Sequence, residues 1–214
     1  MTQFHVGRGF TLLVGLAALL GAAAVPAGST EPLVDAPLDA VWKPQRIVFK
    51  YRGDSSFYSC RALATKVTSI LLSIGARDDV RISHYSCNEM LGSARFEILF
   101  HSPVAATPEN IQALTTHTAR DELIARGRGE QLAGATDLPR FTARWQKVSF
   151  ASDRRMRLEP ADCELVRAVR KQILAHMSVS ILNDGVRCSP GYGNIGPPSL
   201  TVAALVLVKA DTLD

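Results

Sequence analysis

The stretch Tyr58–Ala76, YSCRALATKVTSILLSIGA, has the pattern of a helix whose first turn carries a cysteine. A second stretch, Ala161–Met177 with the sequence ADCELVRAVRKQILAHM, has a cysteine at the corresponding place. A shift along the chain superposes the two stretches without a gap, and the apolar positions that coincide recur with a helical period. They are Cys60 with Cys163, Leu63 with Val166, Ile70 with Ile173, Leu71 with Leu174 and Ile74 with Met177. Both stretches are therefore predicted to be helices that bury the side bearing the cysteine.

Strand-like segments flank the two helices in the same order. They are short and rich in β-branched and aromatic residues, which is typical of strands. In the first half they are RIVFKY after Trp42, DVRISHYSC to Cys87 and ARFEILF (94–100), and in the second half KVSFA after Trp145, SVSILNDGVRC to Cys188 and LTVAALVLV (200–208). The shared order predicts an internal duplication and an α+β fold, in which two β-α-β-β repeats form antiparallel sheet with the helices packed on one face.

These patterns divide the chain into five parts. They are a signal peptide (1–27), a proline-rich linker (28–44), a first β-α-β-β module (45–104), a connecting helix and loop (105–140) and a second β-α-β-β module (141–214). The linker is expected to be extended because it contains three prolines. In the connection, Thr107 as a cap and Pro108 at the first helical position predict one short helix.

The N-terminal segment has the layout of a secretory signal peptide. MTQFHVGRGF carries Arg8 and no acid, an uncharged apolar run follows, and small residues in VPA precede Gly28. The apolar run, 10–25, is shorter than the roughly 20 residues that a membrane-spanning helix needs. We therefore expect cleavage after Ala27 and a periplasmic or secreted protein that does not span the membrane, with an uncleaved anchor as the alternative.

Composition and charge narrow the class of partner. Hydrophobic residues make up 47% of the chain and charged residues 21%, which is typical of a globular protein. The formal net charge is only +4, and no block of Lys and Arg is interleaved with aromatic residues. The sequence therefore predicts no nucleic-acid partner.

The four cysteines occur at matched spacings, 27 residues apart in the first half and 25 in the second. Four cysteines allow three pairings, and a bridge copied with its module favours Cys60 with Cys87 and Cys163 with Cys188. Structural disulfides fit an oxidising compartment. A redox-active thiol is the alternative, because a thiolate is stabilised in the first turn of a helix, but no C-x-x-C pair occurs.

Metal and catalytic motifs are weak in this sequence. His84 and Cys87 stand three residues apart, but a zinc site needs about four ligands, so no metal or cofactor is expected. No G-x-S-x-G, H-E-x-x-H or P-loop motif occurs. Asp78 and Asp79 are interpreted as a turn that enters a strand. Asp162 and Glu164 are interpreted as acids that complement the dipole of the second helix.

The last strand suggests a possible interface. Leu205 and Leu207 lie on the side opposite to Val206, and both sides of this strand are apolar. One cover for Leu205 and Leu207 is the segment 108–126, through Ile111 and Leu114. The other is a docking surface for a second chain, with the loop 189–199 and its Tyr192 at the rim.

Trp42 with Cys60, the GARDD segment, and Trp145 with DCELV together resemble a group of uncharacterised exported bacterial proteins. In that group a Trp-led strand and a Cys-initiated helix also occur twice, and the resemblance brings no activity or ligand. The function we expect is an exported, disulfide-stabilised, non-enzymatic protein that binds or assembles with an unknown protein or envelope component. The alternatives are a hydrolase with a site built from His84, His101 and nearby acids, and a thiol–disulfide protein.

Overall fold

The computed structural model describes residues 36–188 and 196–208. In this part of the chain the fold is α+β, with four helices and one six-stranded antiparallel sheet. The elements in chain order are β1 (Leu38–Arg52), α1 (Cys60–Ser73), β2 (Arg81–Asn88), β3 (Ser93–Ala105), α2 (Pro108–Thr115), α3 (Ala119–Arg128), β4 (Arg140–Ser149), α4 (Cys163–Gln172), β5 (Val179–Gly185) and β6 (Ser199–Leu207). The fold class predicted from the sequence is confirmed.

The strands follow the order β2-β3-β1-β4-β6-β5 across the sheet, so β1 and β4 lie at its centre. The first half of the chain supplies β1, α1, β2 and β3, and the second half supplies β4, α4, β5 and β6. Each half-sheet places its first strand at the centre and its middle strand at an edge. That these halves arose by duplication stays a prediction.

One hydrophobic core joins α1 and α4 to the sheet. The apolar positions expected to be buried are buried. Examples are Ile70 in α1 with Ile74 directly after it, and Val166 in α4 with Ile173 directly after it. They pack in one cluster with alternate residues of the strands, such as Phe49 and Phe96. Because side chains alternate across a strand, the residues between these face away from the helices.

Strand β1 is longer than expected and extends into the segment assigned to the linker. It begins at Leu38, and its first residues, Leu38–Val41, pair with Arg140–Ala143 of β4 while most of the strand pairs with β3. Pro44 is accommodated because pairing with β4 ends at Val41, so no ladder hydrogen bond is needed on that edge. From Leu38 onward, the segment assigned to the linker, 28–44, is therefore extended as a strand of the sheet.

Helix α4 continues along this edge of β1. Gln172 accepts the N–H of Lys50 at 2.9 Å, and its amide donates to the carbonyl of Lys50 at 2.7 Å. Gln45 donates to the carbonyl of His176 at 2.7 Å, just beyond α4. The second half of the chain therefore satisfies backbone groups of the first.

The connection between the halves contains two helices where one was expected. Thr107 caps α2, as predicted, with Pro108 as its first residue. A second cap follows at Thr118, whose side chain accepts the N–H of Asp121 while Asp121 accepts the N–H of Thr118. This capping box begins α3, so the connection forms a second helix after α2 ends at Thr115.

The segment assigned to the signal peptide, 1–27, lies outside the described residues, as does most of the loop 189–199 with Tyr192. Among the residues that are described, no helix is both long and apolar enough to cross a membrane.

Candidate functional site

Each disulfide joins the first residue of a helix to the strand region that follows it. Cys60 of α1 is bonded to Cys87 of β2 with the Cα atoms 6.1 Å apart. Cys163 of α4 is bonded to Cys188, just after β5, with the Cα atoms 5.6 Å apart. All four cysteines lie in the described part of the chain and none is free. The pairing expected from the spacing is therefore the one present.

The two histidines of the possible hydrolase site lie on opposite faces of the sheet. His84 is in register with Phe96 on the face that packs against the helices, and its ring meets the ring of Phe96 edge-on at 4.8 Å. His101 is in register with Pro44 on the other face. A site that combines His84 with His101 is therefore not formed.

His101 belongs instead to a cluster of three charged or polar side chains. Its Nδ1 lies 2.8 Å from Oδ2 of Asp79 and 3.0 Å from the guanidinium of Arg77. Arg77 forms an ion pair with Asp79 and holds the pKa of that carboxyl below its usual value. The other carboxylate oxygen of Asp79 is buried without a hydrogen-bond partner.

This cluster lines a groove of about 470 Å³. Arg46, Arg81 and Leu99 also line the groove. From the sequence, Asp79 is interpreted only as part of a turn, because no local pattern indicates that it contacts His101, a residue more than twenty positions away. The backbone N–H of Arg77 donates to the carbonyl of His101 at 2.9 Å, which brings the two segments together.

The groove opens onto an exposed basic surface. We call this surface the basic face and define it by the exposed cations on the side of β2-β3-β1 that points away from the helices. They are Arg46, Lys50 and Arg52 of β1, Arg81 of β2 and Arg95 of β3. Among the strand residues on this side, Glu97 is the acidic residue, so positive charge is in excess.

Several of these cations have no counter-charge among the residues that the structure describes. Arg46 pairs with Glu97, and the guanidinium of Arg95 lies over the ring of Tyr85 at 5.6 Å from its centre. Lys50, Arg52 and Arg81 form no ion pair with any described residue.

A second groove, of about 710 Å³, lies between α1 and β2 on the other face of the sheet. Small side chains of α1 line it, among them Ala64, Thr68 and Ser69, opposite His84. The groove runs past the Cys60–Cys87 disulfide. Its charges are sparse, and nothing about its lining selects one kind of ligand.

Leu205 is buried inside the protein, with 1% of its surface exposed. It packs in a small cluster with Ala40 and Ala143. Ile111 and Leu114 are not members of this cluster as the structure describes it. Leu205 is therefore an interior residue, and the side chains that pack with it come from β1 and β4 rather than from Ile111 or Leu114.

Leu207 and Tyr192 are the other residues of the expected interface. Leu207 is 41% exposed at the end of β6. Tyr192 lies outside the described residues.

Asp162 and Glu164 lie at the start of α4, as expected, and they also make contacts with the first half of the chain. Both are buried, and Asp162 does not cap α4 with its side chain. Asp162 accepts from Tyr58 and pairs with Lys66 at 2.7 Å. Burial and the hydrogen bond to Asp162 raise the pKa of the Tyr58 hydroxyl. The acids therefore join the second half to the first.

Comparison with known proteins finds no matching family model, no matching curated protein and no matching solved structure. Within the described residues, no group of three or more His, Cys, Asp or Glu side chains has the arrangement of a metal site.

Proposed function

We propose that this chain is an exported, disulfide-stabilised, non-enzymatic binding protein that attaches to an envelope component through the basic face. The observation that carries the proposal is a set of three exposed cations on one side of the sheet that form no ion pair with any described residue, namely Lys50, Arg52 and Arg81. Exposed charges of one sign gathered on one surface attract a partner of opposite sign.

The fold supports this role because it holds the basic face rigidly. The opposite side of the same strands is buried against α1 and α4, and Cys60–Cys87 ties β2 to the start of α1. A surface that is already ordered loses little conformational entropy when a ligand binds. Structural disulfides are also what an exported protein commonly uses.

The proposal is tested by cell fractionation of the full chain and of a Lys50→Glu/Arg81→Glu variant. The wild type is expected to sediment with the envelope and to be released by high salt, because salt screens exposed charges. The variant is expected in the soluble fraction.

The matched control for this experiment is Arg120→Glu/Arg128→Glu, which makes the same charge change on exposed positions of α3. It should remain with the envelope. A folded Lys50→Glu/Arg81→Glu variant that sediments like the wild type would show that the basic face is not the attachment surface.

A hydrolase is the second candidate, favoured by the contact of Asp79 with His101. A carboxylate that holds one ring nitrogen of a histidine leaves the other nitrogen to act as a general base on water. The groove residues include no Ser, Thr, Cys or Tyr that could serve as a nucleophile. If this reading is right, His101→Ala abolishes a hydrolytic activity found by screening esters and glycosides, whereas His84→Ala keeps it.

A further inference from the structure

We infer that the ligand of the basic face is a linear anionic polymer other than a nucleic acid, an inference that rests on the proposed function. The class of ligand follows from how the cations are arranged, from the acids that lie among them and from the kinds of side chain that surround them.

The cations are arranged in rows that an extended chain can follow. Along β1, Lys50 and Arg52 lie on one side of the strand two residues apart, a separation of about 6.8 Å, and Arg46 lies farther along the same line. The neighbouring strands add Arg95 opposite Lys50, and Arg81 across Leu99 from Arg46. The surface is three strands wide, about 10 Å from the first to the third. These dimensions suit a single extended polymer.

The acids on and beside this surface favour a ligand with separated charges. Glu97 lies within the basic face, and Asp79 lies in the groove at its end. A continuous anionic plane such as a bilayer surface would meet both carboxylates, whereas a polymer can place its charges beside the cations alone. Val48 and Leu99 are shorter than the Arg and Lys side chains around them, so they do not form the protruding apolar surface that inserts into lipid.

The scarcity of aromatic side chains on the basic face argues against nucleic acid. Four of its five cations are arginines, whose planar guanidinium binds a carboxylate or a phosphate through two parallel hydrogen bonds, so they fit an anionic polymer of either kind. Surfaces that bind single-stranded nucleic acid add aromatic rings on which bases stack. Tyr85 is the exposed aromatic residue of β2, and the guanidinium of Arg95 already lies over its ring.

The test measures binding of the purified, disulfide-bonded protein to polygalacturonate, a linear polymer with one carboxylate on each sugar. Isothermal titration at low salt is expected to detect binding that weakens as salt is added. The Lys50→Glu/Arg81→Glu variant should bind at least about tenfold more weakly, while Arg120→Glu/Arg128→Glu should match the wild type. Thermal melts of each variant show that it is folded.

Three further probes identify the ligand class at the same salt concentration: methyl-esterified polygalacturonate, phosphatidylglycerol vesicles and a single-stranded oligonucleotide. Weaker binding of all three than of polygalacturonate supports the inference. Tighter binding of the ester, the vesicles or the oligonucleotide overturns it, as does the absence of binding to polygalacturonate. The fractionation experiment is separate, so salt-sensitive envelope attachment without polygalacturonate binding would overturn this inference and leave the proposed function standing.

Discussion

Glu164 illustrates how much one buried carboxylate can organise. Its Oε2 atom accepts the backbone N–H groups of Asp54, Ser55 and Ser56 at 3.0, 3.2 and 3.4 Å. These residues form the loop between β1 and α1, whereas Glu164 lies in the first turn of α4. The loop is thus held by a helix from the other half of the chain.

Replacement of Glu164 by Ala is expected to lower the free energy of unfolding by about 1 to 3 kcal/mol, because three backbone N–H groups, one of them in the buried residue Ser56, lose a charged acceptor. Urea denaturation under non-reducing conditions measures this change. Glu130→Ala is the control, since Glu130 is exposed beyond the end of α3, and it should leave the free energy of unfolding within about 0.5 kcal/mol of the wild type. Equal effects of the two substitutions would contradict the assigned role.

Asp79 is expected to make stability depend on pH. Its pKa is lowered in the folded protein, chiefly by the hydrogen bond from Arg77. A lowered pKa in the folded state gives a stabilising contribution that is present above the ordinary value of about 3.9 and is lost as the pH falls through the folded value.

We therefore expect Asp79→Asn to be less stable than the wild type at pH 6, with the difference shrinking below about pH 4. Urea denaturation at pH 6, 4 and 3 measures the difference. Asp78→Asn is the matched control, because the side chain of Asp78 forms no ion pair in the structure and is exposed. A difference for Asp79→Asn that is the same at every pH would count against the contribution of this carboxylate.

At the scale of elements, the end of α1 depends on a glycine. Gly75 has a φ of +96°, a conformation that residues with a side chain rarely adopt. A Cβ atom there would also collide with the carbonyl oxygen of Leu205 in β6. Gly75 therefore lets the end of α1 approach the backbone of the opposite half-sheet.

Gly75→Ala is expected to destabilise the protein by at least about 2 kcal/mol, through strain and the collision with Leu205. Gly127→Ala is expected to have the opposite sign, because Gly127 lies inside α3 with open space around its Cα atom. Alanine there should stabilise by about 0.5 to 1 kcal/mol. Melting temperatures of the two variants measure both effects, and a neutral Gly75→Ala would mean that the close approach is not required.

At the scale of the whole molecule, the two halves form one folding unit. Gln172 bonds to the backbone of Lys50, and Ser178 donates to the carbonyl of Pro103 at 2.8 Å. The core cluster contains residues of both helices and of both half-sheets. We expect neither half to be stable without the other.

Leu205 and Leu207 lie in the same strand, but Leu205 is in the core and Leu207 is on the surface. Leu205→Asp is expected to destabilise the monomer by more than about 3 kcal/mol, because it buries an unpaired carboxylate. Leu207→Asp should remain folded, since Leu207 is 41% exposed. Circular dichroism with size-exclusion chromatography distinguishes them, and a folded Leu205→Asp protein would contradict the burial of this side chain.

The sequence by itself indicated α1 and α4, the strands that flank them and the favoured pairing of the cysteines. These follow from local periodicity and spacing: the buried positions of α1 and α4 recur every turn, and each cysteine pair lies within one strand–helix–strand unit. Local patterns also indicated the α+β class. The capping box at Thr118 and Asp121 was visible in the sequence and would have indicated α3.

Only the tertiary structure decided where chemistry could take place. The basic face gathers alternate residues of three strands, and Asp79 meets His101 across the end of β3, so neither forms a motif along the chain. Leu205 resembles a docking residue in sequence because its strand is apolar on both sides, yet the starts of β1 and β4 cover it. Strand order and register determine which of these residues come into contact. Order and register depend on the free energy of the whole core rather than on any local segment.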